Sequence, residues 1–326
     1  MPLITPLLRV DVSAVVVATA YGGPEVLTVA DETAADPGPG QARIDVRASG
    51  VNPIDYKAYG GAMGSDPARL PLRPGFEAAG VITAVGPDAV GPAGPVAVGD
   101  EVIAYRVTGG YAAQLVAPAQ ALTPKPPSLG WPEASGLMLA GATAWHALAA
   151  TSVASGDTVL VHGASGGVGL MAVQLALSRG ATVIGTASPG RHEVLRDFGA
   201  IPVVYGAGLA DRVRAAAPGT LDVALDLVGS DEAIDVSIEL VADRKRIATI
   251  AAARRGLALG IKVLGGGPGA DPGTELRTAA RPQLARLAGE GALRVLVSQT
   301  FPLQDAAAAH RAIMGGHTLG KIALIP

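Results

Sequence analysis

From residue 12 to about 125 the hydrophobic positions come in short runs, at 14–18, 42–46, 80–85 and 101–105, parted by PGPG, VGPDAVGPAGP and VTGG. Short apolar runs between Gly- and Pro-rich turns are the spacing of an antiparallel, barrel-like β domain. Pro124, Pro126 and Pro127 then form a stiff linker, after which 131–150 carries a helical pattern. Beyond residue 155 the period changes. Strand patterns at 158–162, 182–186, 203–205, 223–227 and 246–250 alternate with helical ones at 168–178, 193–198 and 231–240. That alternation predicts a parallel sheet with helices on both faces. Residues 1–11 have no clear period and contain Pro2 and Pro6, so they read as an arm. The pattern therefore divides into an arm at 1–11, a β-rich domain at 12–135, an α/β domain at 136–297 and a C-terminal segment, 298–326, that returns to the first domain. GGGPGADPG at 265–273 reads either as a plain connecting loop or as a cover over a binding cleft.

The first strand of the α/β region runs straight into a cluster of glycines. Ala164, Gly166 and Gly169 stand at the spacing of the dinucleotide fingerprint G-x-G-x-x-G, with alanine in the first place and Ser165, Gly167 and Val168 between. Such a turn must reverse tightly, let a pyrophosphate reach bare backbone at Gly166 or Gly167, and seat the next helix closely on the sheet at Gly169. The helix N–H groups then face the phosphates. Val168, Met171, Ala172, Leu175 and Ala176 recur at helical spacing and predict one buried stripe.

An acidic residue at the end of the second strand would accept from the ribose 2′-hydroxyl of NAD. Here that place holds Thr186, Ala187 and Ser188, followed by Arg191. A carboxylate would repel a 2′-phosphate, whereas hydroxyls and a guanidinium would bind one, so the cofactor expected is NADP(H) rather than NAD(H). Tyr205, after the third strand, is a candidate to stack near the adenine.

Composition narrows the picture. The chain has 326 residues, 49% of them hydrophobic and 16% charged, enough for two cores. A formal net charge of -3 and no long basic run argue against nucleic acid as a partner. With no cysteine there are neither disulfides nor thiolate-bound zinc sites, which suits a cytoplasmic location. The apolar stretch VSAVVVATA at 12–20 is too short for a bilayer and reads as a buried strand, so no membrane association is expected.

Eight motifs, in order, carry a family resemblance: YGGPEVL (21–27), ASGVNPIDYKAYGG (48–61), RPGFEAAGVITAVG (73–86), VGDEV (98–102), GGYAAQ (109–114), GATAWHAL (141–148), HGASGGVGLMAVQLA (162–176) and GHTLGKIALIP (316–326). Together they resemble the zinc-independent medium-chain dehydrogenase/reductases of the quinone oxidoreductase, or zeta-crystallin-like, group. The resemblance implies a GroES-like antiparallel β-barrel catalytic domain built from both ends of the chain, a Rossmann doubly wound parallel sheet between them, an active site in the cleft and a homodimer. It implies Asn52 beside nicotinamide and substrate, Thr143 at the cofactor ribose and nicotinamide, and Lys57 on the ribose or the substrate oxygen. Tyr56, adjacent, is a candidate proton donor, with water the other source of the proton; on an extended segment adjacent side chains diverge, so only one of Tyr56 and Lys57 would face the cleft. Lys321 is implied near the cofactor phosphate.

Where zinc alcohol dehydrogenases have G-H-E, this chain has Gly75, Phe76 and Glu77, so no metal is expected. Without a Lewis acid the substrate must spread the developing negative charge itself, as a quinone or an α,β-unsaturated carbonyl does. The alternatives are an enoyl-thioester reductase of a biosynthetic pathway and an NADPH-binding protein without turnover. Of the remaining polar residues, Asp55 reads as a turn or cap residue, His162 as a buried, hydrogen-bonded imidazole and His310 as helix packing.

Overall fold

The computed structural model describes residues 12–33 and 35–326. The arm expected over 1–11 lies outside the described residues. The chain divides into two compact units, one taking the residues up to Lys125 with Thr300–Met314 and Ala323–Pro326, the other Pro126–Gln299 with Gly315–Ile322. The division thus falls at the prolines after Lys125 rather than at 135. The last ladder pair before it is Val102 with Pro124, and a proline-rich stretch cannot continue a sheet. The C-terminal segment is shared, residues 315–322 going with the second unit.

In the first unit, β1 (Val12–Ala18) and β2 (Leu27–Thr33) form an antiparallel pair with Val16 opposite Val29. The larger sheet is built from β3 (Gln41–Val51), β4 (Glu77–Val85), β7 (Glu101–Tyr105), β8 (Gln114–Pro118) and β9 (Leu122–Pro124), and β5 (Val90–Gly91) with β6 (Gly94–Pro95) is a short hairpin beside it. With β16 (Val297–Pro302) and β17 (Lys321–Ile325) the strand order is β16-β17-β3-β4-β7-β9, and β8 pairs with β3. The β3–β4, β3–β8, β4–β7 and β7–β9 pairs are antiparallel.

Period-2 patterning sets the core of this unit. Ala42, Ile44 and Val46 are buried while Arg43 and Asp45 stay partly exposed, and the buried set packs with Ala78, Ile82, Val102 and Leu122. After the exposed Arg47 the strand is buried on both faces from Ala48 to Val51, and it delivers the chain to α1 (Pro53–Tyr59). The helix α10 (Ala306–Met314) also belongs to this unit.

The second unit is a six-stranded sheet, β12-β11-β10-β13-β14-β15, whose neighbours all pair in parallel. Its strands are β10 (Thr158–His162), β11 (Thr182–Thr186), β12 (Ile201–Val203), β13 (Val223–Asp226), β14 (Ile247–Thr249) and β15 (Lys262–Val263). Numbered within the unit this is the order 3-2-1-4-5-6 of the doubly wound dinucleotide fold, whose ligands lie outside the carboxyl ends of the strands. The helices are α2 (Trp131–Ser135), α3 (Met138–Ala150), α4 (Gly167–Leu177), α5 (His192–Asp197), α6 (Leu209–Ala216), α7 (Asp231–Leu240), α8 (Ala253–Leu259) and α9 (Thr274–Gly289).

Three local expectations change. The helix expected over 131–150 breaks at Gly136, where a Cβ would lie 3.2 Å from the side chain of Lys321. The third strand ends at Val203 rather than Tyr205, because the next carbonyls, of Val204, Gly206 and Ala207, are taken by the Arg212 guanidinium. Helix α4 is buried on more than one stripe. Leu170 and Val173 are covered as well as Met171, Ala172, Leu175 and Ala176, and Val168 is partly exposed, since α4 packs on both α3 and the sheet.

Candidate functional site

In the second unit β10 ends at His162 and the chain turns at Gly163, whose φ of +74° favours glycine. The N–H groups of Gly163 and Ala164 donate to Thr186 Oγ1 and Thr186 O, both at 3.1 Å, so the end of β11 braces the turn. Thr186 is buried with its hydroxyl engaged there, which leaves Ser188 and Arg191 as the partly exposed polar groups of that segment. Gly166 is the N-cap of α4 and has no side chain to accept from the first-turn N–H groups; the first i→i−4 bond is Leu170 N to Gly166 O, 2.9 Å. The backbone donors of Gly167, Val168 and Gly169 therefore form the kind of uncapped helix start that takes an anion.

At two of these glycines the neighbouring protein already leaves no room for a side chain. A Cβ on Gly169 would sit 2.2 Å from Gly163 O and 2.7 Å from Ala164, so close seating of helix on turn requires glycine. A Cβ on Gly167 would meet Lys321 Cδ at 2.9 Å. Lys321, 5% exposed, follows Gly320, which bridges to Gly166 and donates to Ser165 O at 2.9 Å. The C-terminal segment therefore lays the Lys321 stem against the start of α4.

Arg191 donates to His317 O at 3.1 Å. Tyr205 is 51% exposed on a loop held by Arg212, which donates to Val204 O (3.0 Å), Gly206 O (2.7 Å) and Ala207 O (2.8 Å), while Gly206 N donates to Glu232 Oε2 (2.9 Å). Thr143 is buried in α3, and one turn on stands His146, which the sequence reading passed over although it lies within GATAWHAL. Arg277 Nε donates to His146 Nδ1 (3.2 Å), so His146 Nε2–H donates to Asp271 Oδ2 (3.0 Å). Burial lowers the His146 pKa despite Asp271. Asp271 O also accepts from Gly265 N (2.8 Å), and Gly273 lies against the imidazole. The glycine loop at 265–273 is thus tied to α3, not an unanchored connection.

His162 is buried as expected, but among the described residues its Nε2 has no hydrogen-bond partner, and burial pushes its pKa down to about 4. Beside it in register, Asp226 accepts from Val228 N, Gly229 N and Thr249 Oγ1, and Thr249 Oγ1 accepts from Ala251 N and Ala252 N. These bonds stitch together the loops at the carboxyl ends of β13 and β14.

In the first unit, Asn52, Tyr56 and Lys57 lie at the start of and along α1 rather than on an extended segment. Adjacent helix residues point about 100° apart. The two side chains are therefore not forced to opposite faces: Lys57 is exposed, and Tyr56 is partly buried with its phenol pKa raised by desolvation. Asn52 is buried and donates through Nδ2 to Glu77 Oε1 (3.0 Å) and Gly50 O (3.2 Å). Asp55, fully buried, is the cap residue anticipated, since Asn52 N donates to its Oδ2 at 2.8 Å, and it does more. Gly75 N and Phe76 N donate to Oδ1, both at 3.1 Å, and Tyr111 Oη donates to Oδ2 at 3.0 Å.

Gly75 has φ +102°, and a Cβ there would lie 2.4 Å from Tyr111 N, so RPGFEAAG and GGYAAQ meet at this carboxylate. His310 is not mere packing: it bonds Tyr111 Oη (3.0 Å) and Tyr59 Oη (2.5 Å) and stacks on Tyr59. Glu77, Tyr59, Tyr111 and His310 were missed as site residues. GGYAAQ held a signal for Tyr111, but a lone histidine among alanines holds none for His310.

A zinc-dehydrogenase metal does not fit this donor set, since Phe76 stands at the histidine position, Glu77 is engaged with Asn52 and the chain has no cysteine. Among the described residues no group of three or more His, Asp or Glu side chains is arranged to hold a metal ion. Nor, among them, is any helix long and apolar enough to cross a membrane.

Residues 38–127 match the alcohol dehydrogenase GroES-like domain and residues 198–324 the zinc-binding dehydrogenase family. The chain is 34% identical to a quinone oxidoreductase of Pseudomonas aeruginosa, covering 94% of this chain and 98% of that one. It is 33% identical to the spectinabilin polyketide synthase system protein NorB of Streptomyces orinoci over 94% of this chain but 14% of that protein. The crystal structure of Escherichia coli quinone oxidoreductase complexed with NADPH superposes with a TM-score of 0.82 at 28% identity, covering 96% of this chain and all of that one.

Proposed function

The chain belongs to the quinone oxidoreductase family of medium-chain dehydrogenase/reductases, and on that premise we propose that it is an NADPH-dependent, metal-free reductase of quinones or α,β-unsaturated carbonyl compounds. The observation that carries the reading is the uncapped start of α4 on the braced glycine turn, with Ser188 and Arg191 where an NAD-type acid would stand.

The N–H groups of Gly167, Val168 and Gly169 would bind the pyrophosphate, with Lys321 beside them. Ser188 and Arg191 would take the 2′-phosphate, Tyr205 the adenine, and Thr143 the ribose and nicotinamide. Bound NADPH would supply a hydride to a conjugated carbon of the substrate, leaving an enolate or phenolate oxygen. In the first unit, Asn52, Tyr56 and Lys57 are the groups assigned to the substrate. Asn52 is held in one orientation by Glu77 and Gly50. The exposed Lys57 ammonium suits a developing oxyanion. The Tyr56 phenol, its pKa raised further by burial, is protonated at neutral pH and would serve as a hydrogen-bond or proton donor there.

The test is NADPH oxidation with a 1,4-quinone, a short enone and a simple aldehyde, with and without a chelator. Chelator-insensitive turnover of quinone or enone but not aldehyde is the expected result. Aldehyde turnover abolished by the chelator would sink the metal-free reading. The similarity to the polyketide synthase system protein supports a second reading, an enoyl-thioester reductase, which predicts that a short enoyl thioester outpaces both quinone and enone. NADPH binding without turnover of any of these would favour a non-catalytic role.

Arg191→Ala should raise the Kd for NADPH about tenfold, through loss of a charge-assisted contact worth about 1.4 kcal/mol, and leave that for NADH unchanged. Titration of nicotinamide fluorescence reads both constants. An equal effect on the two cofactors would remove Arg191 from the 2′-phosphate.

A further inference from the structure

The polar cluster of the first unit contains more order than capping α1 requires. Four donors converge on the Asp55 carboxylate: three backbone N–H groups, of Asn52, Gly75 and Phe76, and the Tyr111 hydroxyl. Tyr111 has one proton, and it is given to Asp55. Its oxygen must therefore accept at the 3.0 Å contact with His310 Nε2, which makes Nε2 the protonated ring nitrogen. A neutral imidazole carries a single N–H, so Nδ1 is the acceptor, and Tyr59 Oη–H donates to it at 2.5 Å. The chain Tyr59 → His310 → Tyr111 → Asp55 thus has one direction, with every proton assigned. All four residues are buried, so water cannot replace a lost member cheaply.

The participants come from far apart. His310 lies on α10, separated by 251 residues from Tyr59 and by 199 from Tyr111. The far end of the chain converges on Asp55 Oδ2, the same oxygen that accepts from Asn52 N. We propose that His310 is a positioning residue, which through Tyr111 and Asp55 fixes the backbone of Asn52 and the start of α1 in their working arrangement. This rests on the assignment of Asn52 to the reaction only for its effect on turnover; the effect on the Asn52 backbone stands apart from it.

Two variants and two readouts test the proposal. His310→Phe keeps an aromatic ring but offers neither donor nor acceptor, and His310→Gln offers one of each. In His310→Phe, hydrogen exchange at the Asn52 amide should be at least about tenfold faster while amides of β10 and β13 are unchanged, and His310→Gln should restore much of the protection. In the wild type, ¹⁵N spectra should show His310 as a single Nε2–H tautomer between pH 5.5 and 8. In enzyme assays, kcat should fall about tenfold in His310→Phe, the Kd for NADPH should hold, and His310→Gln should recover most of the rate.

Unchanged Asn52 exchange in His310→Phe, or a mixed tautomer in the wild type, would overturn the proposal. If His310→Phe does not fold, Tyr59→Phe removes only the donor to Nδ1, and the same exchange and tautomer measurements apply. Faster Asn52 exchange with no change in kcat would overturn Asn52 as a reaction residue and leave the positioning intact. Absence of reductase activity in the wild type would count against the proposed function, while the exchange and tautomer results would still decide the role of His310.

Discussion

Gly169→Ala will cost the protein its cofactor binding and about 3 kcal/mol of stability. The added methyl would lie 2.2 Å from Gly163 O and 2.7 Å from Ala164 C and Cα, and these are backbone atoms with little freedom to move. Gly163 and Ala164 are pinned through their N–H groups to Thr186, so the turn cannot retreat without breaking its contacts to β11. Relief has to come from lifting α4, which would carry the N–H groups of Gly167, Val168 and Gly169 away from their places at the turn. The Kd for NADPH should rise by at least about a hundredfold, equivalent to about 2.7 kcal/mol. Gly190→Ala is the control: among the described residues nothing lies within 4 Å of a Cβ there, and it should be nearly neutral. Urea denaturation and cofactor titration of both variants check the expectation, and wild-type affinity in Gly169→Ala would refute the role of the close approach.

Lowering the pH from 7 to 5 should remove about 4 kcal/mol of folding stability, about 2 kcal/mol from each of two buried histidines. Burial pushes the pKa of both His162 and His310 down to about 4, against about 6.5 for an exposed histidine. The sign follows from which state takes the proton. Between pH 6.5 and 4 the unfolded chain binds protons at these positions and the folded chain does not, so stability falls as the pH falls through that window. Below about 4 both states are protonated and these residues add no further slope. His146, also lowered by burial, acts in the same direction. Denaturant midpoints at several pH values between 5 and 7 give the slope, and His162→Leu should roughly halve it. A flat profile across this range would mean that the two imidazoles are protonated as readily in the folded protein as in the unfolded chain.

Both expectations depend on how far local pattern reaches. The alternation of strand and helix past residue 155, the glycine turn after β10 and the empty acid position after β11 were readable because each is set within a few residues of chain. The alternating burial of Ala42, Ile44 and Val46 was readable for the same reason. Errors arose where a distant residue intervened. Arg212 takes the carbonyls that would have carried the third strand on to Tyr205, the Lys321 side chain lies at the glycine that breaks the helix of 131–150, and packing by α3 widens the buried surface of α4.

The sequence by itself determined the class of fold, the glycine turn after β10 and the absence of an acid after β11, because backbone freedom, side-chain period and formal charge are properties of residue types and their spacing. Only the tertiary structure decided that Tyr56 and Lys57 share a helix, that Thr186 braces the turn, that His146 holds the 265–273 loop and that His310 joins Tyr59, Tyr111 and Asp55. The reason is physical. A buried polar group must find a partner wherever the chain can bring one, and that partner, 199 or 251 residues away for His310, leaves no periodic trace in the sequence around either.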